Sequence, residues 1–273
     1  MSLDPRAAES LLAFWADAGV EALYAEVRQD RMAQGLEALR PRLVAPAAPP
    51  AAGPTALRGP ALASPEAAAA AQSARELAAA AADLDQLAAA IAGFEGCPLR
   101  FQGARQAVFS RGAADAPVMV IGEGPGADED AQGAPFVGRA GKLLDKMLAA
   151  AGLTGRAFIT NTVFWRPPGN RTPTPAEQMA CAPFVERAIA LVQPRALLLV
   201  GAASAKSMLQ RTEGILAMRG RWFEWRSEDG ALEIPAMPTL HPAFLLRQPA
   251  AKKKAWEDLL TLTDRLDRPA RPS

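Results

Sequence analysis

The sequence predicts an α/β fold: a three-layer α/β/α sandwich around a central four-stranded, mostly parallel sheet, with an N-terminal helical extension. Four short apolar runs have the length of buried strands, at residues 118–121, 157–160, 196–200 and 234–239. Helix-periodic segments separate these runs, and strands that alternate with helices pair in parallel. Polar residues and glycines follow the runs, at the sheet edge where open α/β folds place their sites.

The chain of 273 residues divides into segments of different composition. Residues 1–42 have loosely helix-periodic apolar residues and are expected to form short amphipathic helices, and residues 43–63 form an Ala/Pro-rich linker. A serine, a proline and a glutamate then begin a long alanine-rich helix over residues 64–93. The α/β domain is expected at residues 94–265, which leaves residues 266–273 as a tail.

Composition excludes several classes of protein. No run of about 18 apolar residues lacks a charge or a proline, and the first residues do not resemble a secretory leader, so we expect a cytoplasmic protein without a membrane span. Two cysteines are too few for a secreted disulfide framework. The net charge is +1, but residues 1–96 are net acidic and the remainder is net basic, which permits a nucleic-acid partner.

The first apolar run ends in a glycine-rich turn, Gly122–Gly126, that neither strand nor helix can continue. Three acids follow it at residues 128–130, and Phe136 comes shortly afterwards. The turn lacks the Gly-Lys-Ser/Thr of a P-loop and the small residues of a dinucleotide motif. Carboxylates repel phosphate, so the turn favours recognition of a neutral base, water activation or metal binding.

Two later strands also end in polar residues. Asn161 ends the second run, and a basic loop with two prolines follows at residues 166–171. Thr174 and Glu177 form a capping box that begins the next helix. His241, the only histidine, precedes a proline after the fourth run.

Four segments together resemble the family 4 uracil-DNA glycosylases, within the wider uracil-DNA glycosylase superfamily. The matching segments are Gly122–Gly126 with Glu129 and Asp130, Gly133–Gly138, Ile159–Asn161 with Arg166–Arg171, and His241–Arg247. The resemblance extends from about residue 94 to residue 260. It implies a monofunctional enzyme of base excision repair that hydrolyses the N-glycosidic bond of deoxyuridine in DNA.

The resemblance also assigns roles to residues that bind the extruded base. Phe136 is expected to stack against uracil, and the Asn161 amide to donate to O4 while it accepts from N3–H. His241 is expected to donate a hydrogen bond to uracil O2 as negative charge develops there. Gly124 stands at a substrate-binding position that other branches of the superfamily fill with aspartate.

Two carboxylates match catalytic acids of the family motif. We expect Glu123 to lie near the attacking water and Glu129 near C5 of the base, where it would exclude the methyl group of thymine. Basic and apolar side chains beside the motifs are expected to bind DNA, the arginines at phosphates and the leucines as a wedge in the space of the flipped nucleotide. These residues are Arg139, Arg166, Arg171, Leu245, Leu246 and Arg247.

One departure from the family concerns its cofactor. The resemblance implies an iron–sulfur cluster held by four cysteines, and the matching positions here are Phe94, Cys97, Trp165 and Cys181. Neither aromatic ring can coordinate iron. We therefore predict that the protein has no iron–sulfur cluster, no other metal and no cofactor, and that Cys97 and Cys181 remain thiols near one another.

Two other functions remain open. A catalytically weak DNA-damage-binding or polymerase-associated module would keep the fold and dock through the N-terminal helices, and a related glycosylase would excise xanthine or hypoxanthine. The predicted partners are uracil-containing DNA and a protein bound by residues 1–42. We expect a monomer that does not bind membranes.

Overall fold

The computed structural model describes residues 65–267. The predicted N-terminal helices, the linker and the serine cap at Ser64 lie outside the described residues.

A six-stranded sheet forms the centre of the described part, with the strand order β1-β3-β2-β4-β6-β5. The strands are β1 (Ser110–Gly112), β2 (Val118–Gly122), β3 (Ala157–Asn161), β4 (Ala196–Val200), β5 (Phe223–Arg226) and β6 (Glu233–Thr239). The inner strands β3, β2, β4 and β6 are parallel, and both edge strands are antiparallel to their neighbours.

The four predicted strands are these inner ones, so the mostly parallel α/β fold is confirmed but the strand count of four is wrong. The sequence Ser-Arg-Gly of β1 has no apolar residue, and in β5 the half-buried Phe223 and the buried Trp225 alternate with exposed charged residues over only four positions. Edge strands are often short and carry charged side chains, so their apolar pattern is hard to recognise.

Nine α-helices cover the sheet in the described part. They are α1 (Pro65–Ala80), α2 (Leu84–Gly93), α3 (Ala127–Gln132), α4 (Arg139–Ala150), α5 (Pro175–Val192), α6 (Ala202–Leu209), α7 (Ile215–Met218), α8 (Pro242–Arg247) and α9 (Lys252–Asp267). Short 3₁₀ turns occur at Pro98–Phe101, Pro168–Asn170 and Pro249–Ala251.

Alternate residues of β2 enter two separate cores. Met119 and Ile121 pack in one core with residues of α1, α2 and α5, whereas Val118 and Val120 pack in the other with residues of α4 and α9. Successive side chains of a strand point to opposite faces. The sheet therefore lies between two helical layers, as predicted for an α/β/α sandwich.

The predicted single helix over residues 64–93 is wrong, because it is interrupted between α1 and α2. Asp83 caps α2 by accepting from the backbone N–H of Gln86 at 2.8 Å. The carbonyl oxygen of Ala81 accepts two hydrogen bonds from the guanidinium of Arg187 on α5. The last carbonyls of a helix have no partner within the helix, and the Arg187 side chain satisfies this one.

Helices α1 and α2 both belong to the core of the α/β domain. Ala74, Leu87 and Ile91 are fully buried in the core that contains Met119. The core of the α/β domain therefore begins before the predicted boundary at residue 94. At the other end, α9 continues past the predicted boundary at residue 265, and its Leu266 is buried.

None of the helices in residues 65–267 combines the length and apolar character needed to cross a bilayer.

Candidate active site

A pocket of about 670 Å³ lies where β2 and β3 end and where the chain leaves β6. Residues from all four motif segments line it, including Glu123, Phe136, Asn161, Arg171 and His241. The structure thus brings together side chains that are more than a hundred residues apart in sequence, because parallel strands end at one edge of the sheet.

Asn161 is the buried polar group at the centre of this edge. Its side chain is 1% exposed, and its Oδ1 is the buried side-chain oxygen that lacks a hydrogen-bond partner within residues 65–267. Gly122 pairs with Asn161 across β2 and β3, and a Cβ at Gly122 would lie 2.4 Å from that oxygen. The amide can lie against the strand end because position 122 has no side chain, and a buried unpaired acceptor is costly unless a ligand satisfies it.

Phe136 packs on the same glycine. A Cβ at Gly122 would lie 2.5 Å from the Phe136 ring, which is itself only 6% exposed. The backbone of Phe136 has a φ of 55°, in the left-handed region that residues with side chains rarely adopt. The aromatic ring is therefore fixed beside the Asn161 amide before any ligand binds.

His241 is the N-cap of α8. Its Nδ1 accepts a hydrogen bond of 3.1 Å from the backbone N–H of Ala243, so Nε2 carries the proton of the neutral ring. The pKa of His241 is lowered to about 4, mainly by burial and also by the charge of Arg247, whereas the charge of Glu129 opposes the shift. A neutral imidazole with Nε2–H directed away from its own backbone is a hydrogen-bond donor at neutral pH.

Glu129 is engaged by the backbone around the pocket. Oε1 accepts from the N–H groups of Val137 and Gly138 at 3.0 and 2.9 Å, and Oε2 accepts from that of Gly126 at 3.0 Å. The carboxylate therefore joins the glycine turn to the loop that carries Phe136. Glu129 borders the pocket, and its predicted position near C5 of the base stays a prediction.

Two other carboxylates that line the pocket, unlike that of Glu129, have no hydrogen-bond partner in the described part of the chain. The carboxylates of Glu123 and Asp128 make no hydrogen bond to residues 65–267, and both residues line the pocket. Asp128 belongs to the acidic run at residues 128–130 but is not among the site residues predicted from the sequence. Gly124 also lines the pocket, and a Cβ there would lie 2.9 Å from the Val163 side chain, so a larger residue at this position would require Val163 to shift.

Three of the predicted arginines line the pocket: Arg139, Arg171 and Arg247. Arg171 also makes two bonds to Glu177, at 2.6 and 2.8 Å, and these hold the pKa of Glu177 below its ordinary value. Arg166 lies outside the pocket lining, where it donates to Asn170 at 2.7 Å.

The two predicted wedge leucines differ in their surroundings. Leu245 is fully buried and packs with Leu240 and Ala255, so its prediction as a DNA wedge is wrong. Leu246 is 39% exposed. Successive residues of a helix point in different directions, and only the second leucine faces outwards.

The four positions that match cluster ligands lie together in one core. Phe94, Cys97, Trp165 and Cys181 are each at most 2% exposed, and the Phe94 and Trp165 rings are 6.5 Å apart. Interaction with Cys181 lowers the pKa of the Cys97 thiol, and burial raises the pKa of Cys181. Within residues 65–267 no group of three or more His, Cys, Asp or Glu side chains could hold a metal ion. This donor set does not fit a cubane cluster, because rings cannot replace thiolates.

A buried amide, an adjacent aromatic ring and a basic rim define a class of α/β proteins that bind a planar base within a polyanion. A family model described as the uracil DNA glycosylase superfamily matches residues 109–260. The chain belongs to this superfamily and, by its relatives, to the type-4 branch.

Several type-4 uracil-DNA glycosylases are similar to the chain. That of Pyrobaculum aerophilum is 38% identical over 168 residues, which cover 60% of this chain and 84% of the relative. That of Sulfurisphaera tokodaii is 39% identical over 158 residues, or 56% and 71% of the two chains. That of Thermotoga maritima is 38% identical over 153 residues, or 55% and 77%.

Proposed function

We propose that this protein is a monofunctional uracil-DNA glycosylase. The observation that carries the proposal is the buried Asn161 amide, whose Oδ1 has no partner in residues 65–267 and lies beside the Phe136 ring. Type-4 uracil-DNA glycosylases at 38–39% identity support the substrate class.

The Asn161 amide supplies the base specificity. Oδ1 accepts from N3–H of uracil while the amide nitrogen donates to O4, and cytosine presents the opposite polarity at these two positions. With cytosine, buried polar groups would face like groups and stay unpaired, which is more costly than a lost contact. The extruded base stacks on Phe136 and regains part of the stacking lost on leaving the duplex.

The bond that breaks joins C1′ of the sugar to N1 of uracil, and its electron pair leaves with the base. His241 donates from Nε2 to O2 of the departing anion, and a donor that is already oriented stabilises this charge without reorganisation. The oxygen of water forms the new bond to C1′ as the water loses a proton, and the uracil anion gains a proton to become neutral uracil. The products are free uracil and an abasic site with an intact backbone.

Glu123 is the carboxylate for the water. Asp128 also lines the pocket without a carboxylate hydrogen bond within residues 65–267, but only Glu123 of the two matches a catalytic acid of the family motif. A carboxylate there orients the water and stabilises positive charge on the sugar. Glu129 acts differently, as the residue that holds the glycine turn against the Phe136 loop. DNA phosphates bind Arg139 and Arg247, and Leu246 fills the space of the flipped nucleotide.

We also propose that the enzyme works without an iron–sulfur cluster, because Phe94 and Trp165 occupy two of the four ligand positions. We propose that it acts as a monomer. Any protein partner would bind through residues 1–42, which lie outside the described part.

Release of free uracil from a uracil-containing oligonucleotide tests the proposal, with single and double strands assayed separately. Wild type should release uracil, and Asn161→Ala should not at the same enzyme concentration. Wild type that binds the single-stranded and double-stranded oligonucleotides but releases no base would indicate the damage-binding module instead. Faster release of xanthine or hypoxanthine than of uracil would indicate the related glycosylase.

A further inference from the structure

The loop at residues 133–138, here called the Phe136 loop, contains a strained residue at the pocket. Phe136 has a φ of 55° although it carries a Cβ. Residues in this region persist only where the surrounding structure holds them, and they concentrate at functional sites. The contacts that hold Phe136 therefore determine where its ring lies.

Arg111 makes the closest contacts to the carbonyls on either side of this strained residue. Its Nε donates to the carbonyl oxygen of Pro135 at 2.7 Å, and its Nη2 donates to that of Phe136 at 3.1 Å. Arg111 lies on the edge strand β1, outside every motif that indicated function. Its planar fork binds both oxygens in one fixed geometry, which a single ammonium group cannot do.

Other residues fix the remaining sides of the loop. Asp145 on α4 accepts from Arg111 Nη2 at 2.6 Å and holds the guanidinium in place. Glu129 accepts from the N–H groups of Val137 and Gly138, just after Phe136. Gly141 is in such close contact with the Phe136 carbonyl that a Cβ there would overlap it. Of the side chains in these contacts, only that of Arg111 binds the carbonyls of Pro135 and Phe136.

We propose that Arg111 is a positioning residue for the reaction: it holds Phe136 in its left-handed conformation so that the ring is in place to stack with the extruded base. This inference rests on the proposed function, in which Phe136 contacts the substrate. Arg111 itself is not among the residues that line the pocket. Its effect on catalysis must therefore pass through the Phe136 ring.

A double-mutant cycle tests this dependence. Arg111→Met keeps much of the apolar stem and removes the donors, and we expect it to lower kcat/KM by about tenfold to a hundredfold, the range that one strained residue can account for. In a Phe136→Ala background the same change should lower kcat/KM by less than about threefold, since no ring remains to be positioned. Arg111→Lys should restore part of the loss.

Arg156→Met is the matched control, because Arg156 forms an exposed ion pair with Asp267 and should leave kcat/KM unchanged in both backgrounds. An equal loss from Arg111→Met with and without the Phe136 ring would overturn the inference.

A crystal structure of Arg111→Met is a second test of the positioning role, and it does not require an active enzyme. We expect Phe136 to leave the left-handed region in that variant. A φ that remains near 55° would overturn the positioning role whether or not wild type releases uracil. Failure of wild type to release uracil, with Phe136 displaced in the variant, would instead reject only the proposed reaction.

Discussion

The Phe136 ring lies 5.9 Å from the imidazole of His241, with the two planes inclined by 31°. One residue comes from the loop before α4 and the other from the chain after β6. Neither ring can move far, because both residues are buried or held by backbone contacts. Together with Asn161 they surround a space for one planar base, and several measurable consequences follow.

Asn161→Ala should lower kcat/KM for uracil release by roughly two orders of magnitude or more. The change removes both hydrogen bonds to the base and leaves its polar edge unpaired in a buried site. Steady-state kinetics on a single-stranded uracil oligonucleotide provide the measurement. Thermal unfolding is the control, since Oδ1 has no partner within residues 65–267 and its loss should not lower the melting temperature. Near-wild-type kinetics would contradict the assigned role.

The activity should show no histidine-like titration between about pH 5.5 and pH 8. The pKa of His241 is lowered from 6.5 to about 4, so the ring stays neutral throughout this interval. A profile of kcat/KM against pH measures this directly. An acidic limb with an apparent pKa near 6.5 that disappears in His241→Gln would show that the ring titrates normally.

The same shift predicts that folding stability falls on acidification. The unfolded chain binds a proton at His241 below pH 6.5, whereas the folded protein binds it only near pH 4, so stability is fully present above pH 6.5 and is lost as the pH falls through this window. The full effect is ~3 kcal/mol. Urea unfolding at pH 7 and pH 4.5 should show a smaller difference for His241→Gln than for wild type. Equal differences would argue against the shift.

The two motif glutamates should respond differently to substitution. Glu123→Gln should lower kcat by about tenfold to a thousandfold with little change in melting temperature, because its carboxylate has no hydrogen bond to lose within residues 65–267. Glu129→Ala should lower the free energy of unfolding by about 1–3 kcal/mol, because three backbone N–H groups lose their acceptor. Kinetics and calorimetry on both variants separate the roles, and a stable but inactive Glu129→Ala would reverse this assignment.

The adjacent leucines of α8, Leu245 and Leu246, should also respond differently to substitution. Leu245→Ala should lower the free energy of unfolding by about 2–5 kcal/mol, because it creates a cavity at a fully buried site. Leu246→Ala should leave stability within about 0.5 kcal/mol of wild type and raise KM for duplex DNA more than for single strands. Equal effects of Leu246→Ala on both substrates would exclude a wedge.

Purified protein should contain no stoichiometric iron and show no visible charge-transfer absorbance, because only two thiols occupy the four cluster positions. Metal analysis and absorbance spectra, repeated on Cys97→Ser and Cys181→Ser, provide the measurement. Iron that is present in wild type and lost from either variant would contradict the prediction.

The aromatic side chains at the cluster positions should stabilise the folded protein. Phe94 is 2% exposed and makes an edge contact with Phe184 at 5.1 Å between centroids. Phe94→Ala should therefore lower the free energy of unfolding by about 3–5 kcal/mol.

Much of the site could be predicted because its chemistry lies in short motifs. Asn161 and His241 follow apolar strands, and the periodicity of those strands is a local property of the chain. The edge strands and the break at residues 81–83 could not be predicted. The edge strands are too short to show a clear apolar pattern, and the break involves the guanidinium of Arg187, more than a hundred residues away.

The sequence by itself determined the α/β class, the parallel order of strands and helices, and the residue types that meet at one sheet edge. Local apolar periodicity and glycine stereochemistry are sufficient for these. Only the tertiary structure decided how each side chain is used: Glu129 is bound by backbone N–H groups, Leu245 is buried, and Arg111 holds the Phe136 loop. Those assignments depend on contacts between distant segments, whose distances and directions exist only after the chain has packed.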